Sequence, residues 1–344
     1  MKKFKQAKDI KVGVIGYGGA YNMGKAHLEL MLKAGMTPVA VSEIDPSRLE
    51  VAQKDFPGIE TYTSVAAMLK RNDVNLITII TPHNTHAQLA VQCLRAGRHV
   101  VCEKPLAITT TEVDTMIRTA QKNKVMLSTF HNRHWDGSIM EAMRRVKQKK
   151  EIGDLVRIDA QMTCYKNPGD AWRSSRSISG GILYDWGVHL LEYALQLIDS
   201  EVTEVSGFAH NGFWAPKTRW KDDTNEDEAF AVVRFKSGQW LTLRFSHVDL
   251  QGKSTTFDIT GTEGHYSFDY HRYSLVTPAK KGRNTLHTEH PPAEHDRYYQ
   301  NVADYLTGKA ELIITAEWSR RPIHILDLAV RSAREGRALK PKYS

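Results

Sequence analysis

From Ile10 to Thr129, short apolar runs alternate with stretches of helical spacing, and this alternation constrains the fold more than any other feature of the chain. The run from Leu76 to Ile80 is interrupted only by Thr78, which is typical of a central strand buried on both faces. Strands that alternate with helices form a parallel sheet covered by helices. We therefore predict an α/β domain over residues 1–131.

The pattern changes after residue 131. The segment Leu155–Thr163 predicts a long strand, and alternating segments on either side of Ser237-Gly238 and of residues 261–264 predict two hairpins. Hairpins of this kind build open, largely antiparallel sheets. We therefore expect residues 132–344 to form an α+β domain on an open, mainly antiparallel sheet, with two helices near 297–306 and 322–334. The stretches 165–181 and 278–295 are predicted to be long loops.

Length and composition narrow the class of protein. A chain of 344 residues with 41% hydrophobic and 25% charged residues is expected to fold into two globular domains. No run of 18 apolar residues and no signal-peptide core are present, so we expect neither a membrane span nor secretion. Cys93, Cys102 and Cys164 are odd in number and have no CxxC spacing, which favours reduced thiols in the cytoplasm.

The net charge of +8 raises the question of an acidic partner. The basic residues cluster at 144–150 and 280–283, on the polar face of a predicted helix and in a predicted loop. No helix-turn-helix, RNP or zinc-finger pattern accompanies them, so we expect a solvated basic surface and no nucleic-acid partner.

A glycine-rich turn follows the first predicted strand. Gly16 permits a tight turn, and Gly18 allows the backbone near Tyr17 to approach a pyrophosphate at a helix N-terminus. The third glycine of the GxGxxG pattern is expected at position 21, which is a tyrosine, so we interpret Gly24 as its equivalent in a lengthened loop. A glycine-rich turn without a ligand is the structural alternative for this segment.

The next strand ends at Glu43, where an acidic side chain can accept hydrogen bonds from the hydroxyls of an adenosine ribose. A glutamate there would repel a 2′-phosphate, so the sequence favours NAD over NADP. Asp45 is a competing acidic residue, but Pro46 follows it, and we predict that Asp45 caps a helix.

Two further motifs carry candidate catalytic residues. Glu103-Lys104-Pro105 follows a short apolar run, so Lys104 is predicted at the carboxyl end of a strand, where open α/β sheets bind ligands. Asp185 and His189 are four residues apart in an apolar helical stretch, so they share one helix face. A buried Asp–His pair with a purely structural role is the alternative interpretation.

These motifs, together with the segment from Thr81 to His86, resemble those of the Gfo/Idh/MocA oxidoreductase family. The resemblance extends over nearly the whole chain and implies an N-terminal Rossmann domain, a C-terminal domain on an open sheet, and NAD(P)-dependent redox chemistry on sugars or polyols. It implies that His189 acts as the base, that Asp185 orients it and contacts the substrate, and that Lys104 polarises the reacting oxygen. Two departures from the family pattern are the lengthened glycine loop and Glu192, which stands where the family often has aspartate.

The resemblance also suggests secondary site residues. They are expected near the cofactor or the substrate, with surface loops as the alternative: Thr81, His83, His86, Glu103, Asn132, Trp172 and Arg173 for the cofactor, and Arg133 and Tyr165 for the substrate. The spacing of His83 with His86, and of His131 with His134, lacks the partnering carboxylate or cysteine cluster of a zinc site, so we expect no metal.

The sequence is compatible with three functions. The leading hypothesis is an NAD-dependent dehydrogenase for a secondary alcohol of a sugar, polyol or glycoside. The second is a glycosidase that oxidises its substrate transiently with bound NAD and finishes redox-neutral, and the third is a sensor without turnover, against which Lys104, Asp185 and His189 argue. The open sheet is expected to pair with a second copy, giving a homodimer or homotetramer.

Overall fold

The computed structural model describes residues 3–343. Its strands are β1 Lys11–Ile15, β2 Thr37–Ser42, β3 Glu60–Tyr62, β4 Leu76–Ile79, β5 His99–Cys102, β6 Leu127–Thr129, β7 Leu155–Thr163, β8 Val202–His210, β9 Glu228–Phe235, β10 Trp240–Ser246, β11 Phe257–Gly261, β12 His265–Phe268, β13 Arg272–Pro278 and β14 Arg283–Glu289. Its α-helices are α1 Met23–Lys33, α2 Pro46–Asp55, α3 Val65–Leu69, α4 His86–Arg95, α5 Thr110–Asn123, α6 Gly137–Ala142, α7 Arg176–Ser179, α8 Ile182–Leu197, α9 Arg297–Thr307 and α10 Ala316–Glu335.

The chain divides into two compact units. The first comprises Met1–Asn132 and Asp296–Arg320, and the second comprises Arg133–His295 and Arg321–Ser344. The domain limits at 131 and 132 stay a prediction. The assignment of residues 296–320 to the first unit has no counterpart in the sequence pattern, because helical spacing does not say which core a helix joins.

The first unit is built on a parallel sheet of strand order β3-β2-β1-β4-β5-β6, which is the doubly wound order. Ile15 of β1 is in register with Ser42 of β2 and with Ile79 of β4, and Ile79 is in register with Cys102 of β5. The carboxyl ends of these four strands are therefore level. The predicted Rossmann domain is confirmed.

Local signals define the helices of this unit. Asp45 accepts a hydrogen bond from the backbone N–H of Ser47 at 2.9 Å and so caps α2, as predicted. Thr109 and Glu112 form a reciprocal capping box at the start of α5. From α9, Tyr298 and Tyr299 enter the core of the first unit and are fully buried.

The second unit is built on an eight-stranded sheet of order β14-β13-β12-β11-β7-β10-β9-β8. Only β7 and β10 pair in parallel among its described strands, so the expected mainly antiparallel sheet is confirmed. Helix α8 lies on one face, where a Cβ added to Gly187 would come within 3.3 Å of the Leu243 side chain of β10. Glycine at this point of the Asp185–His189 motif thus allows the helix to approach the sheet closely.

Several segments differ from the sequence-based prediction. The expected loop 278–295 contains β14, which pairs with β13, and β8 has no counterpart in the predicted strands. Strand β14 consists mostly of exposed polar residues, and in β8 polar residues interrupt the apolar ones, so neither strand has the continuous apolar run that marks a buried strand. The expected loop 165–181 contains α7. Helix α10 begins before Pro322 and carries this proline inside it, so the predicted helix start was too late.

Candidate functional site

The predicted cofactor residues of the first unit follow the level ends of its central strands. Gly16 follows β1, Glu43 follows β2, Glu103 follows β5, and Thr81 lies two residues beyond β4. Backbone hydrogen bonds join these ends: the N–H of Gly16 donates to the carbonyl of Ser42 at 2.8 Å, and that of Glu103 donates to Ile79 at 2.9 Å. Ligands of open α/β sheets bind at this edge, next to the point where the strand order reverses.

Glycine is required at two positions, one in the turn after β1 and one in the first turn of α1. Gly16 has a φ of +98°, and a Cβ there would lie 2.1 Å from the carbonyl oxygen of Ile80. In α1, a Cβ on Gly24 would lie 2.5 Å from the Tyr17 ring and 2.9 Å from the carbonyl oxygen of Gly16. Gly24 thus has the close-packing role of the third glycine in a dinucleotide fingerprint.

By contrast, within residues 3–343 no heavy atom outside Gly18 and its two chain neighbours lies within 4 Å of a Cβ placed on Gly18. Open space beside this glycine, next to the N-terminus of α1, fits the pyrophosphate of a dinucleotide. The ring of Tyr17 is buried, and its hydroxyl donates to Asp55 at 2.9 Å, so Tyr17 can reach a cofactor only through its backbone.

Glu43 is tied to the glycine turn. One carboxylate oxygen accepts from the N–H of Tyr17 at 2.6 Å, and the other accepts from Ile44 at 2.7 Å. The Arg48 guanidinium lies beside the same turn, donating to the carbonyl oxygen of Tyr17 at 2.9 Å. A carboxylate and a guanidinium thus flank the place where the ribose of a dinucleotide is expected.

Contacts with buried histidines hold the Glu103-Lys104-Pro105 motif in place. Glu103 accepts from the backbone N–H of Lys104 at 2.9 Å with one oxygen, and its other oxygen lies 2.9 Å from Nε2 of His27 on α1. His86 lies between two backbone carbonyls, with Nδ1 2.8 Å from Pro105 and Nε2 2.8 Å from Thr81. His86 is fully buried, and burial lowers its pKa. As a neutral ring with one N–H it can donate to only one of these carbonyls, so it packs between the motif and the segment after β4 and is not exposed to a ligand.

The remaining residues of this segment lie close by. Thr81 is half-buried, with its hydroxyl 2.6 Å from that of Thr85. His83 is buried, with its ring centre 5.7 Å from that of His86. Asn132 is half-buried at the end of the first unit.

In the second unit, Asp185 and His189 lie one turn apart on α8. The carboxyl of Asp185 is 35% exposed, whereas His189 is buried and its ring centre lies 5.4 Å from that of Trp186. Glu226 accepts from the N–H of Ile182 at 2.9 Å, which caps the helix directly before the motif. Gly181 precedes it with a φ of +123°, and a Cβ there would lie 2.8 Å from the Glu226 carboxylate.

Of the other predicted residues of the second unit, Trp172, Arg173 and Arg133 lie near the start of α8, and Tyr165 lies apart from them. Arg173 is near Asp185, with Nε 3.8 Å from the carboxylate, and its guanidinium lies over the Trp172 ring at 4.4 Å. Arg133 lies over the Trp186 ring at 4.6 Å. Tyr165 is separate from both, exposed and with its ring centre 5.5 Å from that of Trp214.

Two clefts open beside the start of α8, and both are lined by second-unit residues alone. The smaller has a volume of about 380 Å³ and includes Arg173, Asp185 and His247 among its lining residues. The larger has a volume of about 840 Å³ and includes Arg133 and Tyr270. Both volumes lie in the range of small-molecule sites.

Sequence reasoning missed His27, Glu226, Trp186 and His247 as contributors to these arrangements. His27 had one local signal, since it follows Gly24 by three residues and precedes the buried Met31 by four, on the inner face of α1. Glu192, the departure from the family pattern, is buried, with a carboxylate oxygen 2.5 Å from Nδ1 of His134. Its other carboxylate oxygen accepts from the Gln196 amide at 3.0 Å, so both oxygens are engaged within the second unit.

Among residues 3–343, no group of three or more His, Cys, Asp and Glu side chains could hold a metal ion. In the same part of the chain, no helix is both long and apolar enough to cross a membrane.

Comparison with known proteins agrees with this architecture. The model of the oxidoreductase family GFO_IDH_MocA, with an NAD-binding Rossmann fold, matches residues 10–131, and the model of the GFO/IDH/MocA C-terminal domain matches residues 140–267. The scyllo-inositol 2-dehydrogenase (NADP(+)) IolW of Bacillus subtilis is 24% identical over 98% of each chain. Levoglucosan dehydrogenase of Pseudarthrobacter phenanthrenivorans is 27% identical over 83% of each chain.

Among solved structures, an NAD-binding protein from Listeria innocua superimposes with a TM-score of 0.82 at 26% identity, covering 97% of each chain. Two family models that together span most of the chain, and relatives aligned nearly end to end, confirm the resemblance inferred from the motifs. The chain belongs to the Gfo/Idh/MocA family of oxidoreductases, and is an enzyme of that class.

Proposed function

We propose that this enzyme is an NAD-dependent dehydrogenase that oxidises a secondary alcohol of a sugar, polyol or glycoside. One observation carries the proposal: Gly16, Glu43 and Glu103-Lys104 follow level strand ends in the first unit, and a carboxylate and an imidazole share one face of α8 in the second. The first set suits a dinucleotide, and the second suits proton transfer from a hydroxyl.

The choice of NAD over NADP rests on Glu43. Its carboxylate accepts from three backbone N–H groups at the end of β2, where it would also accept from ribose hydroxyls and repel a 2′-phosphate. The relative IolW carries NADP(+) in its name, so the family includes both cofactors. Arg48 is the group that could favour a 2′-phosphate, but its Nε–H is engaged by the Tyr17 carbonyl.

The reaction needs a hydride acceptor, which is what the nicotinamide supplies when bound. The substrate carbon loses a hydride, its hydroxyl loses a proton, and a carbon–oxygen double bond forms. In the proposal His189 takes the proton, Asp185 hydrogen-bonds the substrate and orients the imidazole, and the Lys104 ammonium stabilises negative charge on the oxygen. Burial of His189 supports a role as base, because a site with little water protects the proton transfer.

The substrate class comes from the relatives and from the site. Inositol and levoglucosan are the substrates in the names of the two dehydrogenases above, and both carry secondary alcohols. Cys93, Cys102 and Cys164 are free thiols, which supports a cytoplasmic location. Arg133 and Tyr165 are the proposed additional substrate contacts, and Trp172 and Arg173 are the proposed additional cofactor contacts.

The function is tested by incubating the purified enzyme with NAD and a panel of polyols, sugars and glycosides. NADH absorbance and released products are followed together, because redox-neutral cleavage would release product without net NADH. Stoichiometric NADH and ketone from at least one secondary alcohol is the expected result. Failure of every panel member to yield NADH would reject the proposal.

A further inference from the structure

The two clefts of the second unit share part of their lining near the start of α8. Trp186 and Thr256 line both clefts, whereas Asp185 lines only the smaller and Arg133 only the larger. Two of the proposed substrate contacts, Asp185 and Arg133, thus belong to neighbouring clefts that have Trp186 in common. A substrate held at Asp185 has the larger cleft on the other side of Trp186.

The larger cleft exceeds what one sugar ring needs. Clefts of roughly 300–1,000 Å³ hold drug-sized ligands, and the larger cleft, at about 840 Å³, is near the top of that range. The smaller cleft, at about 380 Å³, is sufficient for a single ring at Asp185. A free monosaccharide would therefore leave the larger cleft unfilled.

The lining of the larger cleft combines aromatic surface with hydrogen-bonding groups. Tyr270 is 51% exposed, and its ring stands edge-on to Trp186 with centres 5.4 Å apart. Ser138, His271 and Glu289 add donors and acceptors. Aromatic faces with a few polar groups suit a ring that has apolar C–H faces and polar hydroxyl edges.

Charge in this cleft is compensated. The buried Asp136 accepts from Arg133 at 2.9 Å, from the Tyr193 hydroxyl, and contacts His295. These bonds lower the pKa of Asp136, although burial alone would raise it. Three side chains already bind its carboxylate. Asp269 and Glu289 line the cleft together with Arg133 and Arg272, so charges of both signs are present and no strong preference for a cation or an anion is expected.

We propose that the larger cleft binds a second sugar ring or the aglycone of a glycoside, with Tyr270 as its stacking surface. The inference rests on the proposed function, because it assumes that the reacting ring lies at Asp185 and His189. It goes beyond that function in naming the substrate as a glycoside or disaccharide in preference to a free monosaccharide.

The test compares matched sugars on the NAD-loaded enzyme: glucose with cellobiose and maltose, and galactose with lactose and melibiose. Rates are followed by NADH and by sugar release, and binding is measured by calorimetry. We expect a disaccharide to exceed its monosaccharide in kcat/KM and affinity. Tyr270→Ala should lower kcat/KM for that disaccharide about fivefold, since an aromatic contact contributes roughly 0.5–1.5 kcal/mol, and leave the monosaccharide value within about twofold.

Leu286→Ala is the matched control, because Leu286 is an exposed apolar side chain on the neighbouring hairpin, outside both clefts. It should change neither value. Equal or better use of monosaccharides, or an equal loss on both sugars in Tyr270→Ala, would overturn the proposal. The same holds if Tyr270→Ala changes only the mass of the assembly, because the cleft would then bind a second copy of the chain.

The outcomes also separate this inference from the proposed function. Tighter binding of a disaccharide with neither NADH nor cleavage would support the cleft and reject the dehydrogenase. Sugar release without net NADH would support the cleft and favour the redox-neutral alternative. Oxidation of monosaccharides alone would support the dehydrogenase and reject the cleft, and a protein that neither binds nor oxidises any of these sugars would reject both.

Discussion

His27 lies with Nε2 2.9 Å from a carboxylate oxygen of Glu103, which joins α1 to the Glu103-Lys104-Pro105 motif from the inside of the first unit. Nδ1 of His27 lies 2.8 Å from the Tyr299 hydroxyl, whose oxygen lies 3.0 Å from the hydroxyl of Thr78. With neutral His27, Thr78 donates to Tyr299, Tyr299 donates to His27, and His27 donates to Glu103. Every polar atom of this buried chain then has a partner.

This chain predicts a pH dependence of stability. Burial alone would raise the pKa of Glu103, but the hydrogen bond from His27 and the nearby charge and backbone N–H of Lys104 lower it below its ordinary value of 4.5. A carboxylate with a lowered folded-state pKa adds stability above its unfolded pKa, and this is lost as pH falls through the folded pKa. We expect His27→Leu to move acid unfolding, followed by circular dichroism, to higher pH.

Two comparison variants sharpen this measurement. His27→Gln, whose amide can still donate to Glu103, should shift the midpoint less than His27→Leu. His287→Leu replaces an exposed histidine of β14 and should leave the midpoint unchanged. Identical acid-unfolding midpoints for wild type and His27→Leu would contradict the role assigned to His27.

Lys104→Ala and His189→Ala should each lower turnover about a hundredfold or more, since loss of a general acid or base typically costs roughly 10²–10⁴ in rate. NAD affinity should stay within several-fold, because both side chains are proposed to act on the substrate oxygen. Lys104→Arg should not restore activity, because a guanidinium is larger and planar and would not place its charge where the compact ammonium does. Near-normal rates in His189→Ala would place the base elsewhere, with Lys104 or Tyr165 as the next candidates.

Glu43 should set the cofactor preference. We expect NAD to bind about tenfold or more tightly than NADP, and Glu43→Gln to reduce that ratio by removing the charge that repels a 2′-phosphate. Asp45→Asn is the control, because Asp45 caps α2 and is not proposed to touch the ribose. Calorimetric titration of the three proteins with both cofactors measures the ratio, and equal affinity in wild type would refute the assignment.

Gly18 and Gly24 should respond differently to the same added methyl group. Gly24→Ala brings a Cβ within 2.5 Å of the Tyr17 ring, so we expect a loss of roughly 1–3 kcal/mol in the free energy of unfolding. Gly18→Ala meets no protein atom within 4 Å, so it should fold normally and bind NAD more weakly. Denaturant unfolding and NAD titration of both variants provide the comparison, and a destabilised Gly18→Ala with normal NAD affinity would argue against the site.

The open face of the second-unit sheet should mediate assembly. On this face Phe208 and Trp240 are exposed, and Arg244 pairs with Glu228 at 3.0 Å. Such a mixture of exposed aromatic and paired polar side chains suits an interface between identical subunits. We expect light scattering to give a dimer or tetramer at micromolar concentration. Phe208→Glu should lower the mass, and Ile313→Glu, an exposed site in the first unit, should not. A monomeric wild type would contradict this expectation.

The alternation of strands and helices, the position of Glu43 and the spacing of Asp185 with His189 were readable from the sequence, because each depends on residues close together in the chain. Local hydrophobic periodicity predicts a strand or a helix. The residue that follows a parallel strand lies at the carboxyl-terminal end of the sheet, where ligands bind. Even the damaged glycine pattern was interpretable, since Gly24 is only a few residues from Gly16.

Tertiary structure alone decided what joins these local pieces. His27 meets Glu103 and Tyr299 across 76 and 272 residues of sequence, and no periodicity encodes such a contact. The helix that carries Tyr299 is read correctly as a helix, yet its burial in the first unit depends on packing. The two clefts beside α8 likewise form from segments far apart in the chain, because the shape of a cavity is a property of packed surfaces and not of any one segment.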